Sequence, residues 1–170
     1  MASVYGLRLG LFILLNRVIG KTEDRRYQRL RQEWRLSEPV RMFGYFQLQA
    51  AAVVLFSLPF LAVMQNPRPP FGFWELAGVV LWLAGVTGEA VADWQLTRFR
   101  SQSWNHDRVC REGLWFFSRH PNYFFEWVHW WAYVVMAFGS PGWLLTWIGP
   151  VVMGVSLTKI TGIPLAEQQA

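Results

Sequence analysis

The chain has 170 residues, of which 53% are hydrophobic and 17% aromatic, with a formal net charge of +5. Its single cysteine, Cys110, excludes an internal disulfide and any cysteine-based zinc site. The apolar residues run in long blocks instead of amphipathic stripes, which excludes an ordinary soluble domain and predicts an integral membrane protein.

Val4 to Ile19 is an apolar segment interrupted by Arg8 and Arg17. It lacks a basic stretch ahead of its apolar part, so it does not read as a secretory signal peptide. Tyr5, Arg8, Phe12 and Asn16 fall on one helical face, by spacing alone a polar stripe facing a bundle. Between Lys21 and Arg41 the pattern predicts a short surface helix lying against headgroups. Thr22, Glu23 and Asp24 resemble a cap with first-turn acids, Tyr27, Leu30 and Trp34 recur at helical spacing, and Pro39 is expected to break the helix.

Phe43 to Met64 carries no charged side chain and, at about 1.5 Å per residue, reaches about 33 Å, enough to cross a bilayer. Pro67, Pro69 and Pro70 make a stiff loop before a third span, Leu76 to Leu96, which has Glu75 at its mouth and Glu89, Asp93 and Gln95 toward its end. Asn105 to Glu112 is polar and predicted irregular, with Gly113 as a break. Pro121 stands where a new helix begins. Tyr123 to Phe138 and Trp143 to Ile160 are the last two spans. Only Gly139, Ser140, Pro141 and Gly142 separate them, turn chemistry that predicts a tight helical hairpin. The expected fold is an all-α, polytopic transmembrane helical bundle of five spans, forming one domain over residues 1–170.

The charges are distributed to match. Lys21, Arg25, Arg26, Arg29, Arg31, Arg35 and Arg41 fill one loop, and Arg98, Arg100, Arg108, Arg111 and Arg119 another. The two remaining loops hold Arg68 and no charge at all. The positive-inside rule then puts the N-terminus outside and the C-terminus in the cytoplasm. Topology, or a site at the cytoplasmic mouth, accounts for every basic cluster, so nucleic acid is not an expected partner; the expected partners are the lipid bilayer and a lipophilic small molecule. Zincin, nucleophile-elbow, P-loop and soluble dinucleotide motifs are missing from the sequence, and no metal is expected.

Chemistry concentrates at Gly113 to Glu126, reading G-L-W-F-F-S-R-H-P-N-Y-F-F-E. Ionisable groups at membrane depth are costly and raise a functional hypothesis by default. Arg119 suits a phosphate or carboxylate, and His120 suits a phosphate or a ring. Asn122 suits a carboxamide or an adenine edge, while Glu126 suits ribose hydroxyls or Arg119 itself. Tyr123, Glu126 and Trp130 follow at helical spacing. Headgroup anchoring explains Tyr123 and Trp127 but leaves Asn122 and Glu126 without a role. On the third span Glu89, Asp93 and Arg100 share a face; the carboxylates either tie the bundle to neighbouring arginines or belong to a site. His129 reads as a hydrogen-bonded packing residue before a haem ligand.

At these residues the chain resembles the C-terminal domain of the steroid 5-alpha-reductase family, and within it a bacterial branch described as a domain of unknown function. The run G-L-W-F-F-S-R-H-P-N-Y-F-F-E-W carries the resemblance. E-D-R-R-Y-Q at 23–28, E-A-V-A-D-W-Q-L-T-R-F-R at 89–100 and T-G-I-P-L-A-E at 161–167 extend it over nearly the whole chain. It implies a membrane protein, here of a bacterial inner membrane, that binds NADPH from the cytoplasmic side and reduces a carbon–carbon double bond activated by a carbonyl, or a related sterol double bond. By the same resemblance Asp93, Arg100, Arg119, His120, Asn122, Tyr123 and Glu126 belong to the cofactor site. Tyr5 is the proton donor, and Arg8, Asn16 and Arg17 lie near the cofactor. Phe125 departs from the pattern, standing where relatives usually carry glycine. Relatives continue beyond both ends, so a shortened domain is expected.

Two other readings remain open. Isoprenylcysteine carboxyl methyltransferases, more distantly similar, also carry R-H-P-x-Y, which would make S-adenosylmethionine the cofactor. A shortened relative that keeps the helical scaffold without catalysis is the other.

Overall fold

The computed structural model describes residues 1–20, 25–34, 38–67, 72–105, 108–160 and 162–168. Regular structure among them is helical throughout, and the chain forms two compact units, Met1–Leu55 and Phe56–Ala170.

In the first unit, α1 (Ala2–Ile13) runs into a π turn, Leu14–Val18, that carries Asn16 and Arg17. Tyr5, Arg8 and Phe12 are half-buried while Leu7, Leu11 and Leu15 are exposed, which is the polar face expected from spacing. The Asn16 and Arg17 side chains lie outside the described residues, as do Thr22, Glu23 and Asp24 of the expected cap. The surface helix forms as α2 (Arg25–Glu33). Its aromatic face does not merely lie against headgroups: Tyr27 meets Tyr45 edge-on at 6.2 Å and stacks near Phe46 at 6.4 Å, and Trp34 meets Tyr45 at 6.5 Å. Aromatic pairs at this separation add to the area they bury.

The helix α3 (Glu38–Met64) starts earlier than its charge-free core. Pro39 sits in its first turn, so it opens this helix instead of breaking the previous one. A first-turn proline forfeits only an N–H that has no helical partner. Pro69 and Pro70 of the stiff loop lie outside the described residues.

In the second unit α4 (Phe73–Arg100) packs along α6 (Pro121–Met136), joined by a short α5 (Leu114–Phe117). Close approach explains the pairing. A Cβ on Gly78 would stand 2.8 Å from the Ala132 carbonyl oxygen, and one on Gly85 would stand 2.8 Å from the backbone nitrogen of His129. Gly78, Gly85 and Ala92 recur every seventh residue, and small residues in such a row let two helix backbones meet. Ala92, Ala132 and His129 are fully buried there. On the other side of α6, Trp130 packs between Phe56 at 4.9 Å and Phe60 at 5.8 Å.

The expected hairpin is present. The turn after α6 includes Gly139 at φ +73°, and the chain returns as α7 (Trp143–Thr146) and α8 (Ile148–Val155), ending in a π turn, Ser156–Ile160, and a six-residue α9 (Ile163–Gln168). The Trp127 indole donates to the Pro150 carbonyl at 2.9 Å and the Trp143 indole to the Val134 carbonyl at 3.0 Å, pinning the two arms.

Among the described residues three helices are long and apolar enough to cross a membrane: Pro39–Met64, Phe73–Arg100 and Trp143–Ile160. With the exposed apolar side chains on them, this is a helical membrane protein. The other two expected spans are shorter: α1 with the π turn that continues it covers Ala2–Val18 and α6 has 16 residues, each about 24–25 Å against a hydrocarbon core of about 30 Å.

Candidate functional site

The run from Gly113 to Glu126 folds as two helix starts separated by an extended corner. Gly113 has φ +58°, a conformation that favours glycine. Its position is also closed by Gln95, whose side-chain Cδ would lie 2.7 Å from an added Cβ. Gln95 Oε1 accepts the Leu114 N–H at 3.0 Å, and the Trp115 indole donates to the Ala92 carbonyl at 2.9 Å. The corner is therefore held to the end of α4 by two hydrogen bonds. Ser118 is extended, its hydroxyl accepts the His120 N–H at 3.2 Å, and Pro121 opens α6 as its sequence position predicts.

This geometry aims the polar residues in different directions. Asn122 donates from Nδ2 to Asp93 Oδ1 at 3.3 Å, bringing together two of the expected cofactor residues from α6 and α4. His120 stacks on Tyr123, ring centroids 5.4 Å apart and planes 11° from parallel. Both rings line a cavity of about 380 Å³, together with Ser118, Trp127, Leu157, Thr158 and Ile163. The cavity is walled by α6, the π turn and α9. Glu126 is half-buried on the same helix.

Arg119 points outward, its side chain 85% exposed. The carboxylate it meets is that of Glu167, at 3.7 Å, in place of the Glu126 pairing that spacing allowed. His120 Nε2 faces the same oxygen at 3.7 Å; this nitrogen is buried and makes no hydrogen bond among the described residues. Arg100 is exposed at the C-terminal end of α4, two turns past Asp93. Tyr5 and Arg8 belong to the first unit.

Trp130, at helical spacing from Glu126, lies in the aromatic core instead of at the site, and Trp127 lines the cavity as well as bracing α8. Sequence reasoning gave no role to Gln95 or Glu167. Gln95 was visible as a polar residue near the end of an apolar span, and Glu167 as the acid closing T-G-I-P-L-A-E; neither has a partner close in sequence. Phe125 lays its ring over Gly88, where an added Cβ would come within 2.5 Å of Cε1 and Cγ. The bulk at 125 is thus accepted by the lack of a side chain at 88. No group of three or more metal-ligating side chains occurs among the described residues.

The model of one family, described as a protein of unknown function (DUF1295), matches residues 1–170. The chain belongs to the DUF1295 family. No curated protein and no solved structure matches it. Within this DUF1295 chain the corner at 113–120, the Asn122–Asp93 bridge and the aromatic cavity bring polar groups beside an apolar space.

Proposed function

We propose that this protein is a membrane-embedded, NADPH-dependent reductase of the steroid 5-alpha-reductase type, acting on an activated carbon–carbon double bond of a lipophilic, steroid-, isoprenoid- or lipid-like substrate. The observation that carries the reading is the stacked His120–Tyr123 pair at an apolar cavity, next to the Asn122–Asp93 bridge. A dinucleotide needs a cation and further N–H donors for phosphates, an amide for a carboxamide or adenine edge, and acids for ribose hydroxyls. Arg119 and His120, Asn122, and Asp93 with Glu126 supply that set, and the buried His120 Nε2 still has its hydrogen bond to make. Arg100 adds a cation at the end of α4.

The cofactor supplies a hydride when bound. The protein's part is to orient and to exclude water. The aromatic and aliphatic walls of Trp127, Leu157 and Ile163 favour a lipophilic substrate over water. The role of acid, giving a proton to the substrate oxygen, falls to Tyr5, and Arg8 and Asn16 to the cofactor's surroundings. These three assignments rest on sequence resemblance alone. In this reading the chain crosses a bacterial inner membrane five times, with its N-terminus outside and its basic loops and the site on the cytoplasmic face.

The test is ligand-dependent stability of the purified protein in detergent. NADPH should raise the melting temperature in a concentration-dependent way, because a ligand bound by the native state stabilises it. Stabilisation by S-adenosylmethionine instead would make the protein a methyltransferase. Silence of a folded protein toward both would make it a scaffold.

A further inference from the structure

The last helix, α9, carries Glu167 to the two nitrogen donors of the corner, the Arg119 guanidinium and the His120 imidazole. Arg119 Nη1 and His120 Nε2 approach from different residues and converge on the same oxygen, Glu167 Oε1, each at 3.7 Å. Neither distance is a hydrogen bond; charge-assisted bonds of this kind close to about 2.7–2.9 Å. The carboxylate therefore lies in the right place for an anion without being seated in it. We infer that α9 is a displaceable strap, with Glu167 filling the anion position that Arg119 and His120 otherwise offer to a phosphate group of the ligand. The inference rests on the anion-binding role given to these residues above and adds its regulation.

Three features make the strap displaceable. The Arg119 side chain is 85% exposed and Glu167 51% exposed, so water and salt screen their attraction strongly. His120 is only 18% exposed and is held by its stack on Tyr123, so it stays in position when the carboxylate leaves. The helix itself has only six residues, and the Gly162 N–H bond to the Ser156 carbonyl at 3.3 Å ties its start, not the Glu167 end, to the π turn. Ile163 of α9 also forms part of the cavity wall. Displacing Glu167 by a phosphate therefore loosens the wall that bounds the lipophilic space, so occupation of the anion position promotes entry of the second ligand. Two ligands that favour the same open form bind cooperatively.

The experiment uses the full chain in detergent, with Cys110→Ser and Ala166→Cys placing a reporter thiol on α9. Glu167→Gln keeps the side chain's shape and removes its charge at a half-exposed position. It should raise the maleimide labelling rate of the reporter several-fold without any ligand. Pyrophosphate should raise labelling of the reporter protein that retains Glu167 and leave labelling of the Glu167→Gln variant unchanged. If the strap is closed nine-tenths of the time, Glu167→Gln should also tighten NADPH binding several-fold, with about tenfold as the ceiling for complete opening, since apparent affinity scales with the competent fraction. Labelling that ignores both pyrophosphate and Glu167→Gln overturns the strap, even where NADPH binds; the reductase reading then stands without it. Release by pyrophosphate and by Glu167→Gln, with no response to NADPH, upholds the strap and overturns the reductase reading.

Discussion

Two glycines of α4, three residues apart, face the same helix, and only one of them should respond to a second-site change. An alanine at Gly88 would bring its Cβ within 2.5 Å of Phe125 Cε1 and Cγ, whereas carbon atoms rest at about 3.5–4.0 Å. The ring must retreat by about 1 Å or more, a cost of about 1–3 kcal/mol, offset by up to about 1 kcal/mol of helix propensity. Phe125→Ala alone costs less than the roughly 3–5 kcal/mol of a fully buried ring, because Phe125 is half-buried. In the double variant the new methyl occupies space the ring has left, so the two changes should couple favourably by about 1–2 kcal/mol. At Gly85 the added Cβ meets the His129 backbone, 2.8 Å from both N and Cα, and the His129 Cβ at 2.6 Å. His129→Ala leaves all three atoms in place, so Gly85→Ala should gain no relief and cost more than Gly88→Ala. Equilibrium unfolding by dodecyl sulfate in mixed micelles, read by circular dichroism, measures both cycles. Additivity within about 0.5 kcal/mol at 88 and 125, or rescue of Gly85→Ala by His129→Ala, would refute the packing argument.

Three further outcomes are expected. Arg119→Ala should weaken NADPH binding by about tenfold or more while moving the unliganded melting temperature little, since its ion pair is exposed; titration and thermal melts on one preparation separate the two effects. Trp127→Phe keeps an aromatic side chain but loses the second ring of the indole and its hydrogen bond to the Pro150 carbonyl, for a loss of at least about 1 kcal/mol, or about 2–4 °C in the melting temperature; an unchanged melt would remove this brace between α6 and α8. Reporters fused at Met1 and at Ala170 should be active on the outer and cytoplasmic sides respectively, and the same side for both would refute five crossings.

Much of the architecture is legible in local pattern. A charge-free run such as Phe43 to Met64 has one stable solution in lipid, because a helix satisfies its own backbone. Gly113 and Pro121 punctuate the chain where their backbone preferences say they should. Pro39 was misleading because proline reads the same whether it closes one helix or opens the next. The polar residues at 119–126 stand out because burying them near a bilayer is expensive. Which of them meet is another matter: Asn122 reaches Asp93, and Arg119 reaches Glu167 instead of Glu126.

The sequence by itself determined that this is an all-helical membrane protein, in which stretches of chain its long apolar helices lie, and which short stretch holds the unusual polar groups. These follow from hydropathy, helix geometry and backbone preference, which act within a few residues. Only the tertiary structure decided that Gly88 makes room for Phe125, that Gln95 clasps the corner before α5, and that Glu167 returns to Arg119 and His120. Each of those depends on which helix faces which and at what depth. Close packing sets that through steric contacts between residues far apart in the chain, where no local pattern records them.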